Sequence, residues 1–127
     1  MITKEDGVTT LWNDATPICW DRDDAAKLKT NAAARKAAPV ATGVLDYFPQ
    51  AIFAIAECSL VGHQQHNPGT PICWDRAKSG DESDALLRHF MERGTIDSDG
   101  IRHTTKVAWR ALAMLQKELE DAARNPA

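Results

Sequence analysis

Val44-Leu45-Asp46-Tyr47-Phe48-Pro49-Gln50-Ala51-Ile52-Phe53-Ala54-Ile55-Ala56-Glu57-Cys58-Ser59-Leu60-Val61 is the stretch on which the fold turns. Leu45, Phe48, Ile52, Ile55, Ser59 and Leu60 recur mostly at steps of three and four, the period of a helix rather than a strand. Pro49 falls near the start, where a missing N–H does little harm. Ala51, Phe53, Ala54, Cys58 and Val61 carry apolar surface round the remaining sides. A helix apolar on most sides is expected to be buried, and Gly62 is its expected stop.

Working outward, residues 1–22 lack a sustained period and contain Gly7 and Pro17, so they read as an extended arm. Residues 23–38 are rich in Ala and Lys, which predicts a helix with Asp23 and Asp24 at its positive end and Pro39 after it. Residues 63–78 form a long polar loop that carries Trp74, and loops of that size are often functional. Ser79 or Asp81 can cap the next helix, with Glu82 three residues after Ser79. Its apolar part is Ala85, Leu86, Leu87, Phe90 and Met91, and Gly94 closes it. Asp97-Ser98-Asp99-Gly100 reads as a tight acidic turn. The last helix is predicted over 101–123, with Ala108, Leu112, Leu115, Leu119 and Ala122 as its inner stripe. The expectation is one all-α domain over 23–127, a compact antiparallel arrangement of three to four helices.

The chain has 127 residues, 43% apolar and 26% charged, the balance of a globular domain. By size scaling it should bury roughly two-thirds of its unfolded surface. No stretch approaches the ~20 apolar residues of a membrane span, and no apolar block follows a basic start as in a secretory signal. The formal charge of −3 gives no basic balance for nucleic acid. Three cysteines, Cys19, Cys58 and Cys73, suggest reduced thiols in a cytoplasmic protein. Thr16-Pro17-Ile18-Cys19-Trp20-Asp21-Arg22 recurs unchanged as Thr70-Pro71-Ile72-Cys73-Trp74-Asp75-Arg76. This is one duplicated segment, and it reads as a pair of loop anchors. A metal set of Cys19, Cys73, His63 and His66 is also chemically allowed.

Glu57 is the lone charge in the apolar run 51–61, so it needs a cation, a metal or a route to water. An ion pair with Arg88 or Arg110 would also serve. Asp81 and Asp84 stand three apart on one helical side, where a divalent ion relieves their repulsion. Asp81 can instead be a plain helix-start acid. Arg76, Lys78 and Arg88, with Lys106 or Arg110, suit phosphate oxygens. Trp74 can stack on a base or anchor the loop. Asn67 and Gln65 can read a base edge. Of His63, His66, His89 and His103, the pair to test is His66, in the loop, and His89, on the helix of Asp84. No glycine-rich phosphate loop or nucleophile elbow is present.

Gly62-His63-Gln64-Gln65-His66, Trp74, Asp84-Ala85-Leu86-Leu87-Arg88-His89, Asp97-Ser98-Asp99-Gly100-Ile101-Arg102-His103 and Trp109-Arg110-Ala111-Leu112-Ala113 occur in this order. In this set the span from Gly43 to about Leu119 resembles the phage dATP/dGTP diphosphohydrolase family, itself similar to the all-helical MazG-like nucleoside triphosphate pyrophosphatases. The resemblance implies a catalytic domain that hydrolyses purine deoxynucleoside triphosphates to monophosphate and pyrophosphate with Mg2+ or Mn2+. The related enzymes hold the ion with an ExxE pair on one helix and an ExxD pair on the next. The matching positions are Ala54 and Glu57, then Asp81 and Asp84, so one expected acid is replaced by Ala54. The resemblance thus implies Glu57, Asp81 and Asp84 as metal ligands, and Glu57, Asp84 and His89 as catalytic. His66, Asn67, Trp74, Arg76, Lys78, Arg88 and Lys106 are the expected substrate contacts. It further implies a homodimer or homotetramer joined through helices, in the host cytoplasm if phage-encoded. A nucleotide-binding or structural phage protein without turnover is the alternative.

Overall fold

The computed structural model describes residues 31–125. The expected arm, 1–22, and the first part of the helix predicted over 23–38 lie outside the described residues. Asn31 caps α1 (Ala32–Lys36), its side-chain oxygen accepting from the Ala34 N–H at 2.7 Å. A π-helical turn, Ala41–Leu45, follows Pro39. The chain then breaks before α2 (Pro49–His66), with Pro49 in the first turn as its spacing suggested.

Gly62 does not stop α2. A glycine in a helix interior costs only about 1 kcal/mol against alanine, and the turn beyond it is anchored. Buried His63 meets Thr70 through Nε2, at 2.9 Å from Oγ1 and 3.0 Å from the carbonyl oxygen. The helix ends instead at Asn67-Pro68-Gly69, where proline cannot continue it and Gly69 takes φ +83°.

A one-turn 3-10 helix, Arg76–Lys78, leads to α3 (Glu82–Met91). Ser79 bonds the Glu82 carboxylate through its hydroxyl rather than capping backbone N–H groups. α4 (His103–Arg124) follows a turn that a single antiparallel bridge, Ile96 to Arg102, holds closed. Gly100 sits in that turn at φ +86°, and its N–H donates to the Asp97 carbonyl at 3.0 Å. The described residues are helices and turns, with no named strand, so the domain is all-α as expected.

α4 is the central element. It packs on α3 along much of its length and on α2, whereas α2 and α3 do not approach each other. Ala85 of α3 and Ala113 of α4 are the buried apolar residues, and their small size lets the two backbones close up. Polar links do the rest. Lys117 reaches the Ser79 carbonyl oxygen and the Glu82 carboxylate, the latter at 3.0 Å. Arg76 forks onto Glu120, at 2.5 and 3.2 Å.

Two expectations are corrected here. The stripe Leu112, Leu115 and Leu119 looks outward, each leucine half exposed, while His103, Lys106, Trp109, Arg110, Ala113, Lys117 and Glu120 make the inward face of α4. Likewise α2 is not buried among the described residues, where α4 covers only one of its sides and Phe53 remains 76% exposed. Among the described residues no large side chain is fully buried. No single described helix is long and apolar enough to cross a membrane; α1 and α2 reach that length only as two pieces bent by 92°.

Candidate functional site

A cavity of about 410 Å³ opens between the C-terminal half of α2, the loop after it, the end of α3 and the first half of α4. Trp109 of α4 anchors one wall: its Nε1–H donates to Ser59 Oγ of α2 at 2.6 Å. Trp74, from the loop, stands edge-on to Trp109 with ring centroids 5.8 Å apart. Arg76 lies over the Trp74 ring at 4.2 Å and fixes that loop to α4 through Glu120. The long loop is therefore a wall of the cavity.

The cavity gathers cations and histidines from chain segments far apart. Lys78, Lys106 and Arg110 line it together with His63, His66 and His89. Lys106 stands between Asp97 and Asp99, at 2.6 and 2.7 Å. Burial alone would lower the Lys106 pKa; the hydrogen bonds of both carboxylates outweigh that and raise it. The Lys106 bond, seconded by the Ser98 N–H, holds Asp97 down at about 2. Among the described residues, Trp74 Nε1 is buried without a hydrogen bond, and buried Arg110 Nη1 makes none closer than its 3.6 Å ion pair with Asp81. Cys58 also lines the wall, and burial pushes its thiol pKa up, away from reactivity.

His89 and His103 meet where α3 ends and α4 begins. Their Nδ1 atoms are 2.9 Å apart, and Asp97 Oδ1 lies 3.9 Å from His103 Nε2. Burial, then the charge of Lys106, lowers the His89 pKa.

Of the expected substrate contacts, the cavity holds His66, Asn67, Trp74, Lys78 and Lys106, and it also holds His89. Two amide donors are already engaged, Asn67 Nδ2 on Asp75 at 3.2 Å and Gln65 Nε2 on Asp99 at 3.1 Å. Arg76 and Arg88 depart from expectation. Arg76 is committed to Glu120 and Trp74, and Arg88 pairs with Asp81 at 3.1 Å on the outer side of α3.

The expected metal carboxylates do not form one cluster within a chain. Glu57 is exposed on α2, with no arginine paired to it among the described residues; Asp84 lines a separate shallow groove on α3 with Asp81 and Glu118. Asp81 faces Arg88 and, at 3.6 Å, Arg110, which leaves little charge to attract an ion. The donor set at Glu57, Asp81 and Asp84 therefore does not fit a shared divalent ion in this chain. Of the possible Cys19, Cys73, His63 and His66 site, Cys19 lies outside the described residues; Cys73 is disulfide-bonded, against the expectation of three reduced thiols, and His63 Nε2 is engaged by Thr70. Cys58 is free.

Comparison with protein-family models, with curated proteins and with solved structures found no match.

Trp109, Arg110, Asp97 and His103 are the residues of this region given least weight by reading residues singly. Their signal was the short turn 97–100, which had to return α4 beside α3 and so bring His103 back to His89.

Proposed function

We propose that the 410 Å³ cavity takes a purine deoxynucleoside triphosphate, and that the protein hydrolyses it to monophosphate and pyrophosphate. What supports this is the joining, in one cavity, of two tryptophans with Lys78, Lys106 and Arg110. A nucleotide is an aromatic plane carrying a polyanion, and this wall offers π-faces and cations side by side. The acidic chain, at −3, attracts such an anion only where its cations are clustered. The nucleotide enters as its Mg2+ or Mn2+ complex, the ion being part of the substrate. Trp74 and Trp109 stack on or border the base, while Lys78, with Lys106 and Arg110 on exchanging Asp97, Asp99 and Asp81 for the ligand, holds phosphate oxygens and stabilises charge that builds on them.

Two copies share the work of folding. We take the outward leucines of α4 and the uncovered sides of α2 as the surfaces through which a homodimer or homotetramer forms. Neither nucleic acid nor a membrane is a partner.

Nucleotide binding without turnover is the alternative, favoured by the separation of Glu57 from Asp84 and by Ala54 in place of an acid. A panel of nucleoside triphosphates with Mg2+ or Mn2+, read by chromatography, separates the two. Monophosphate with pyrophosphate is expected from dATP and dGTP. Diphosphate with phosphate rejects the cleavage position, and binding with no product selects the alternative. Trp74→Ala should weaken nucleotide binding about tenfold, the scale of one base–aromatic stack; unaltered binding removes the cavity from the proposal.

A further inference from the structure

His89, Asp97 and His103 converge at the edge of the cavity, and the nucleotide proposal does not need them as a set. One donor atom of each lies within 4.8 Å of the others. His103 is buried, His89 and Asp97 are half-buried, and all three are carried on short, pinned backbone. His89 belongs to the last turn of α3 and His103 to the first of α4. The intervening turn is closed by Asp97 N–H to the Ile101 carbonyl at 2.9 Å and His103 N–H to the Thr95 carbonyl at 3.0 Å.

We propose that His89, His103 and Asp97 bind a divalent transition-metal ion of the Zn2+ or Co2+ class, at a site distinct from Glu57, Asp81 and Asp84. Two imidazoles and one carboxylate are the donors such ions prefer, whereas Mg2+ and Ca2+ favour oxygen alone. The scale fits. A tetrahedral ion about 2.0–2.1 Å from each donor needs its donors roughly 3.4 Å apart; one donor atom of each residue lies within 4.8 Å of the others, and His103 Nε2 stands 3.9 Å from Asp97 Oδ1. Drawing them together is a side-chain adjustment. The charge fits too. Lys106 is shared by Asp97 and Asp99, which leaves one net negative charge, and Glu92 adds a further carboxylate 3.9 Å from His103 Nε2. Lys106 takes Oδ2 of Asp97, so Oδ1, which also accepts from the Ser98 N–H, is the oxygen on the His103 side. An ion here supplies the cavity with a fixed positive charge beside Lys106.

The test is titration of the full-length, chelator-stripped protein with Co2+, without nucleotide, by calorimetry and visible absorption. One ion per chain is expected, with d–d bands of nitrogen coordination. Proton NMR of the loaded wild type should show shifted imidazole N–H signals from two histidines, a readout that needs no variant. His89→Gln and Asp97→Asn should each weaken binding more than about tenfold, since losing even an outer partner of a ligand costs 10–100-fold. Circular dichroism melts show whether each is folded. Glu57→Gln and Asp84→Asn should leave the titration unaltered. No bound Co2+ would reduce the cluster to a histidine–histidine hydrogen bond and overturn the proposal. An oxygen-only spectrum, or loss of the ion in Glu57→Gln, would do so as well. Neither result bears on the nucleotide panel, which reads products.

Discussion

Arg76 shows what a single side chain holds together here. Its guanidinium forks onto Glu120, a carboxylate only 2% exposed, and its face covers Trp74. Arg76→Ala removes the fork and leaves that carboxylate to partners that include Gln116 and Arg124, and should cost about 3 kcal/mol in urea denaturation, the low end for a broken buried pair. A loss near zero would mean that Glu120 is satisfied without Arg76. Glu82 makes the matching case for pH. Burial alone would raise its pKa; hydrogen bonds from Ser79 and Lys117 outweigh burial and lower it. A carboxyl depressed in the folded state stabilises above its unfolded value and loses that contribution as pH falls through the folded one. Melting temperature should therefore drop as pH falls below about 4.5, and Glu82→Gln should flatten that limb.

At the scale of elements, two glycines separate helix propensity from backbone strain. Gly62 lies inside α2 with nothing within 4 Å of an added Cβ, so Gly62→Ala should stabilise by about 0.5–1 kcal/mol. Gly100 has equal space but sits at φ +86°, so Gly100→Ala should cost about 1–2 kcal/mol. Thermal denaturation of the pair measures both, and equal signs would refute the assignment of Gly62 to a helix. The start of α2 was read too early: the apolar period runs from Val44, whereas a π turn and a break separate Ala41–Leu45 from α2 at Pro49. The start and end of α3 and the span of α4 were legible to within about two residues, because Gly94 and the 97–100 turn act through local stereochemistry. The end of α2 was not, because a lone glycine is a weak stop, and the His63 to Thr70 contact that carries the helix past it joins residues that no local period relates.

For the whole molecule, the small buried apolar core sets the expectation. Among the described residues, Ala85 and Ala113 are the buried apolar side chains, against an ordering entropy of about 1–2 kcal/mol per residue in backbone alone. In the proposed homo-oligomer, the outward leucines of α4 would be buried against another copy, which would contribute about 25 cal/mol per Å² of apolar surface. Sedimentation at micromolar concentration should give a dimer or tetramer. Leu115→Glu should shift it toward monomer and lower the melting temperature. A monomer that melts independently of concentration would refute this self-association.

The all-α class, the helix periods and the wealth of cations after α2 follow from the sequence itself, since propensity, turn chemistry and charge act over a few residues. Which face of α4 turns inward, and which of Glu57, Asp84, His89 and His103 become neighbours, was decided only by the tertiary structure. Packing put α4 between α2 and α3. That placement separates two acids whose spacing suggested a shared ion, and it joins two histidines that no short-range pattern connects.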